Sequence, residues 1–280
     1  MSALDDKLAA LDTRLRELGP VLVAFSGGAD SALVLAAAVR ALGTSGVVAA
    51  TAVSPSLPES ELAGARSVAL GLGVRHEAPP TDELSRAGYQ ANAGDRCWFC
   101  KAELLDVLTP LAQQLGMATV VTGTNADDVL AGFRPGIRAA AERGAHAPLR
   151  DAGLTKADVR AASRRWGLAT ADKPAAACLS SRVAFGVQVT RERLARVERA
   201  EAAARAVLDA AGLAVLDLRV RDLGDRARIE VDQPAAAAAA ALPGLLQAVR
   251  GTGFAAAEVD PRGFRSGSMN QLLPDPARYR

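Results

Sequence analysis

The junction at residues 21–31 narrows the fold more than any other part of the chain. Val21-Leu22-Val23-Ala24-Phe25 is a short continuous apolar run that stops at Ser26-Gly27-Gly28. From Asp30 to Leu42 the apolar residues recur with helical spacing, and Gly43 supplies a stop. A buried strand, a glycine turn and a helix in immediate succession open a βα unit. The same alternation continues downstream. Gly46–Val53, Val74–Glu77 and Ala118–Thr122 read as strands; Glu59–Leu70 and about Lys101–Leu115 read as helices. Continuous apolar strands separated by helices predict an α/β fold with a doubly wound parallel sheet covered on both faces. Leu4, Leu8, Leu11, Leu15 and Leu18 share one helical face, so an amphipathic helix precedes the first strand.

Three loops then fall at carboxyl ends of strands: Ser26-Gly27-Gly28, Ser54-Pro55-Ser56-Leu57-Pro58, and Gly123-Thr124-Asn125-Ala126-Asp127-Asp128. Open α/β sheets bind ligands at that rim. Thr155–Trp166 reads as a helix with Thr155 near its cap and Asp158 in its first turn. Gly167–Val189 is irregular and rich in Gly, Pro and Ser, which places a boundary between a domain at 1–175 and a smaller α+β domain at 176–280. In the latter, Thr190–Ala211 is a long helix. Val215–Val220 and Ala227–Val231 are paired strands around Gly224-Asp225, Pro234–Val249 is helical, and Phe254–Val259 is a final strand.

Half of the 280 residues are apolar, enough for a sizeable core. Lys and Arg number 33 against 31 Asp and Glu, so no basic surface expected of a nucleic-acid-binding protein is visible. The charged residues between Met1 and Pro20 interrupt any secretory signal core. No apolar run reaches the roughly 20 residues needed to span a bilayer. A cytoplasmic protein without membrane or nucleic-acid partners is expected, and three cysteines do not form a disulfide framework.

Between a buried strand and a helix start, the glycines of Ser26-Gly27-Gly28-Ala29-Asp30-Ser31 let consecutive N–H groups point at an anion. The helix N-terminus adds partial positive charge, and Ser26 and Ser31 offer hydroxyl donors. Asp30 is a poor phosphate contact by itself; it works through Mg²⁺ or holds the loop. No Gly-x-x-x-x-Gly-Lys-Ser/Thr run is present. The segment resembles the PP-loop, the Ser-Gly-Gly-x-Asp-Ser signature of ATP pyrophosphatases. That resemblance implies cleavage of ATP between its α and β phosphates and an adenylated substrate. Gly123, Asn125 and Asp127, with Asp128, resemble the superfamily's second nucleotide or Mg²⁺ contact, although Asn and Asp at a helix start also serve as caps.

The cysteines sharpen the resemblance. Arg96-Cys97 with Cys100-Lys101, Arg134-Pro135-Gly136, Pro148-Leu149, and Lys173-Pro174 with Ala177-Cys178-Leu179 and Ser181-Arg182 follow in the order found in LarE-type sulfur transferases, to about Glu230. The resemblance implies ATP-dependent conversion of a carboxylate of pyridinium-3,5-biscarboxylate mononucleotide to a thiocarboxylate, for the nickel-pincer nucleotide cofactor. One branch gives up the sulfur of a single cysteine, at the position of Cys178, which becomes dehydroalanine. The three-cysteine branch is implied to hold a 4Fe–4S cluster, here through Cys97, Cys100 and Cys178. Four cysteines usually close such a cluster; three leave one iron able to take an extra sulfide. Free sulfide or a cysteine desulfurase would be its source. A zinc site is disfavoured because His76 and His146 lack ligand spacing to the cysteines. A redox Cys-x-x-Cys pair and inert buried cysteines are the other readings.

A multiply anionic nucleotide substrate needs cationic anchors. Arg182, Arg219 and Arg221 are candidates, the last two on one face of a strand. Arg219 and Arg221 could equally line a solvated strand face. Glu230 is a candidate metal contact, with surface exposure as the default, and Trp98 either stacks on the substrate ring or packs beside the cysteines. The rival functions are a tRNA thiolase and a non-catalytic nucleotide or metal sensor. A homo-oligomer is expected.

Overall fold

The computed structural model describes residues 2–130, 134–174, 177–265 and 267–273. The chain forms two compact units, Met1–Glu83 with Cys97–Ala176, and Leu84–Arg96 with Ala177–Tyr279. The placement of Leu84–Arg96 with the second unit has no counterpart in the sequence pattern.

The first unit opens with α1 (Ala3–Leu18), capped by a Ser2/Asp5 capping box. It continues through β1 (Val21–Ala24), α2 (Ala29–Leu42), β2 (Val47–Ala50), α3 (Glu59–Gly71) and β3 (Arg75–Glu77). After the short helix α4 (Ala87–Gln90) of the second unit, α5 (Arg96–Gln114) leads to β4 (Thr119–Val121). Four further helices complete it: α6 (Ala126–Leu130), α7 (Pro135–Glu142), α8 (Pro148–Asp151) and α9 (Lys156–Arg165). The sheet is parallel throughout, in the order β3-β2-β1-β4. The expected doubly wound α/β fold is therefore present.

Strand alternation explains how both faces are covered. Val21, Val23, Val47, Ala49 and Val121 point into a core with α1, α2, α3 and α9. Their neighbours Leu22, Val48, Ala50 and Val120 point the other way, onto Leu105, Leu108 and Ala112 of α5 and Ala140 of α7. On α2, ten residues are buried, most of them alanine, so the helix packs closely on every side. Each fully buried leucine, such as Leu33 or Leu105, contributes about 2 kcal/mol. The order of strands has a consequence for binding: β2 and β4 lie on opposite sides of β1. The winding therefore reverses at β1, and a crevice opens at its carboxyl end.

The second unit contains α10 (Arg191–Ala210), β5 (Leu218–Asp222), β6 (Arg226–Val231), α11 (Ala236–Ala240), α12 (Leu245–Arg250) and β7 (Ala256–Val259). Helix α10 buries Leu194, Val197, Ala200, Ala204 and Leu208 as one stripe against β5 and α12. β5 and β6 are antiparallel, and β7 adds parallel to β6. The continuous helix expected over Pro234–Val249 is instead two short ones. Pro243 ends the first, and Gly244, at φ 86°, supplies a left-handed turn before the second. The expected strand over Gly46–Val53 is only four residues long, with Val53 in an isolated bridge to Pro80. Among the described residues, no helix is long and apolar enough to cross a membrane.

Candidate functional site

The glycine loop Ser26–Ser31 occupies the reversal point. Thr51 Oγ1 donates to the Phe25 carbonyl at 2.7 Å and so accepts from His76 Nε2 at 2.8 Å, which fixes the start of the loop. Gly27 has φ 69°, and a Cβ there would lie 3.1 Å from Ala65 of α3, so the loop needs glycine for both conformation and space. Ser31 Oγ donates to the Gly28 carbonyl at 3.1 Å and accepts from the Ser26 N–H at 3.3 Å. Gly28 caps α2 without a side-chain hydrogen bond. The first-turn N–H groups of a helix have no intrahelical acceptor, so this end offers donors to an anion.

The loop after β4 lies directly against it. A Cβ on Gly123 would come within 2.8 Å of the Ser31 nitrogen. Asn125 Nδ2 donates to Asp30 Oδ1 at 3.0 Å, while its Oδ1 accepts from the N–H groups of Asp127 and Asp128. Asn125 thus caps the start of α6 and ties it to the phosphate loop. Asp127 Oδ2 accepts from the Lys156 N–H at 2.8 Å, and Lys156 Nζ lies 2.5 Å from Asp30 Oδ2. Asp30 is engaged at both oxygens. A second lysine, Lys173, donates to the Gly27 carbonyl at 3.1 Å and pairs with Glu61 at 2.7 Å. On the third rim loop, Ser54 and Ser56 both donate to the buried Glu83 carboxylate at 2.5 Å, and Thr81 donates to its other oxygen at 3.1 Å.

Cys97 and Cys100 are the second and fifth residues of α5 rather than lying before it, because that helix begins at Arg96. Their spacing of three places both sulfurs on one helical face. Cys97 is exposed and none of the three cysteines is in a disulfide. Burial lowers the pKa of the neighbouring Lys101 ammonium, while the sulfurs of Cys100 and Cys97 act to raise it. The Trp98 indole N–H donates to Glu142 at 2.9 Å and the Arg143 guanidinium lies over its ring.

Cys178 belongs to the second unit, at the start of a one-turn helix over Leu179–Arg182. Its sulfur lies 2.9 Å from Ser180 Oγ. Arg182 is buried, donates to the carbonyls of Ala177 and Cys178, and pairs with Glu201 at 2.9 Å. Arg96 donates to the Ser180 carbonyl at 2.9 Å and to Asn92 Oδ1, and Arg221 reaches the Ser181 carbonyl at 3.3 Å. Three guanidinium groups therefore hold the backbone of the cysteine segment. Arg219 and Arg221 share a strand face, both beside the Phe264 ring. Arg219 has its pKa lowered by burial first and by Arg182 second. Glu230 is not a surface residue: it is fully buried, 2.7 Å from Arg221 and 3.4 Å from Arg228.

No protein-family model matches the chain. Similar proteins run nearly its whole length. Pyridinium-3,5-bisthiocarboxylic acid mononucleotide synthase of Lactiplantibacillus plantarum is 34% identical over 274 residues, covering 98% of this chain and 97% of that protein. The chain belongs to the LarE-type family of this synthase. An uncharacterized protein of Synechocystis sp. is 42% identical over 273 residues, 96% of this chain and 99% of its own. Another from Methanocaldococcus jannaschii is 27% identical over 229 residues, 81% and 84% of the two chains.

Within the LarE-type fold, the structure brings Ser26, Gly27, Gly28, Asp30, Ser31, Gly123, Asn125 and Asp127 into one cluster in the first unit. Cys178, Arg182, Arg219, Arg221 and Glu230 fall in the second. Among the described residues, no three His, Cys, Asp or Glu side chains are grouped so as to hold a metal ion. Sequence reasoning missed Lys156 and Lys173 as loop contacts, and Arg96 and Glu201 as supports of the cysteine segment. Lys173 and Arg96 did stand inside motifs that carry the family resemblance. Lys156 had no local signal beyond the helix cap beside it.

Proposed function

We propose that this protein is an ATP-dependent sulfur transferase acting on pyridinium-3,5-biscarboxylate mononucleotide. The full-length similarity to the Lactiplantibacillus plantarum synthase carries the reading. The uncapped N-terminus of α2 at the winding reversal supports the nucleotide part of it.

In this reading ATP is a substrate whose phosphates lie on the loop Ser26–Ser31. A substrate carboxylate oxygen attacks the α-phosphorus, and pyrophosphate leaves. A sulfur nucleophile then attacks the acyl carbon, and AMP departs with the former carboxylate oxygen, so no oxidant or reductant is needed. The loop N–H groups and Ser26 and Ser31 hydroxyls hold the phosphates, while Asn125 keeps the loop after β4 against α2. Asp30 and Asp127 are the carboxylates available to Mg²⁺, which is commonly held by one or two carboxylates plus substrate phosphates. Arg219 and Arg221 serve the substrate's anionic groups, and Arg182 shapes the Cys178 segment.

Cys97, Cys100 and Cys178 are three thiols of the right donor chemistry for a 4Fe–4S cluster, and would hold one. When bound, such a cluster supplies an iron without a protein ligand, to which sulfide can attach. A second reading needs Cys178 alone, whose sulfur lies 2.9 Å from Ser180 Oγ. In it, the Cys178 thiolate attacks the acyl-adenylate, and elimination of the thioester yields the thiocarboxylate and dehydroalanine.

Release of AMP and pyrophosphate that depends on the pyridinium substrate tests the proposal. Release that depends instead on bulk tRNA, with steep salt dependence, would move the protein to the thiolases. ATP binding without any turnover would make it a sensor.

A further inference from the structure

We propose that Lys156 is the internal counter-cation of the nucleotide-free phosphate loop, exchanged for a divalent metal when the metal–nucleotide complex binds. This rests on the ATP reading above and goes beyond it by giving the loop two defined electrostatic states. The loop Ser26–Ser31 contains an acid, Asp30, and no base. The structure supplies the missing charge from 126 positions away: Lys156 Nζ lies 2.5 Å from Asp30 Oδ2. The other carboxylate oxygen accepts from Asn125 Nδ2 at 3.0 Å. A neutral amide can keep its bond to a carboxylate that also ligates a metal. An ammonium on the same carboxylate is disfavoured once a metal sits there, because two cations about 4 Å apart still repel at a partly solvated protein surface.

The pair is built to exchange. Its side chains are 38% and 27% exposed, so solvent and a ligand reach it. The backbone of Lys156 is fixed independently, by its N–H on Asp127 Oδ2 and by the Thr155/Asp158 capping box at the start of α9. Helix α9 is further held by Lys7 on Asp158 and by buried Val159 and Ala162. The ammonium is thus not needed to dock the helix, and its long side chain can turn to a phosphate oxygen while its Cα stays in place. The metal takes the carboxylate and the lysine takes the phosphate, so charge near Asp30 stays balanced in both states.

The test uses the full chain with Mn²⁺ as probe, read by electron paramagnetic resonance without nucleotide, and Mn²⁺–ATP binding read by calorimetry. Lys156→Met should bind Mn²⁺ alone at least about fivefold more tightly, the scale of an exposed ion pair removed. Adding Asp30→Asn should abolish that gain. The same Lys156→Met chain should bind Mn²⁺–ATP about tenfold more weakly, with Lys156→Arg recovering most of the loss. Unchanged Mn²⁺ affinity in Lys156→Met, with wild type still binding Mn²⁺–ATP, would overturn the exchange and leave the nucleotide reading intact. A wild-type chain that binds no Mn²⁺–ATP would overturn both.

Discussion

Gly123 passes so close to Ser31 that a Cβ on it would lie 2.8 Å from the Ser31 backbone nitrogen. The obstacle is the backbone at the N-terminus of α2, which cannot turn aside as a side chain would. The loop after β4 and the phosphate loop are therefore fitted to one another. Gly123→Ala should push Ser31 out of place, costing about 1–3 kcal/mol of stability. We expect ATP affinity to fall at least as steeply as the melting temperature, measured by calorimetry and thermal denaturation. Unaltered ATP binding would mean that the fit of these loops does not matter to the nucleotide.

Asp158 joins the cap of α9 to Lys7 of α1. Its carboxyl is lowered from 3.8 to about 2, chiefly by the hydrogen bond from Lys7, with the Thr155 N–H and hydroxyl contributing. Because the folded-state value is the lower one, the contribution is complete above 3.8 and disappears as pH falls toward 2. The pair is partly solvated, so about 1 kcal/mol is expected rather than the full linkage value. Urea unfolding of wild type and Lys7→Met should differ by that amount near neutrality and converge in acid. A difference that persists in acid would assign the loss to packing of the lysine stem.

Glu230 lies unexposed between Arg221 and Arg228, with Ser268 Oγ at 3.4 Å. Glu230→Gln leaves two guanidinium groups with less compensation and should destabilise the chain by about 3 kcal/mol. Chelator should not alter that difference. If chelation alone lowers the stability of wild type to that of Glu230→Gln, Glu230 binds a metal after all.

The cluster proposal concerns Cys97, Cys100 and Cys178. Anaerobically purified protein should contain about four irons and acid-labile sulfide per chain, lost on replacing any one of the three by alanine. Full iron in Cys178→Ala would contradict it. No iron even after reconstitution, with a mass loss at Cys178 after turnover, would establish the sacrificial route.

Much of the fold was legible because it depends on local pattern. Val21–Phe25, the helical spacing from Asp30 and the glycine stops name their elements without reference to the rest of the chain. The Pro234–Val249 helix failed where Pro243 and Gly244 outweighed a strong alanine tract. The start of α5 was placed late because Arg96 and the cysteines carry no helix-start signature. The glycine turn between β1 and α2 was legible from spacing alone. Lys156 and Lys173 were not, since their partners are 126 and 146 positions away and two lysines on helix or loop surfaces look like solvated charge. Glu230 was misjudged for a related reason: exposure is the ordinary fate of a glutamate, and its pairing with Arg221 across the β5–β6 ladder and with Arg228 accompanies its burial.

If a substrate carboxylate is adenylated before sulfur replaces its oxygen, that oxygen must leave with AMP. The most direct test supplies pyridinium-3,5-biscarboxylate mononucleotide with heavy oxygen in its carboxylates, together with ATP, Mg²⁺ and a sulfide source under anaerobic conditions. One heavy oxygen should appear in the AMP released for each thiocarboxylate formed, both read by mass spectrometry. Thiocarboxylate accompanied by unlabelled AMP, or by ADP and labelled phosphate, would contradict it.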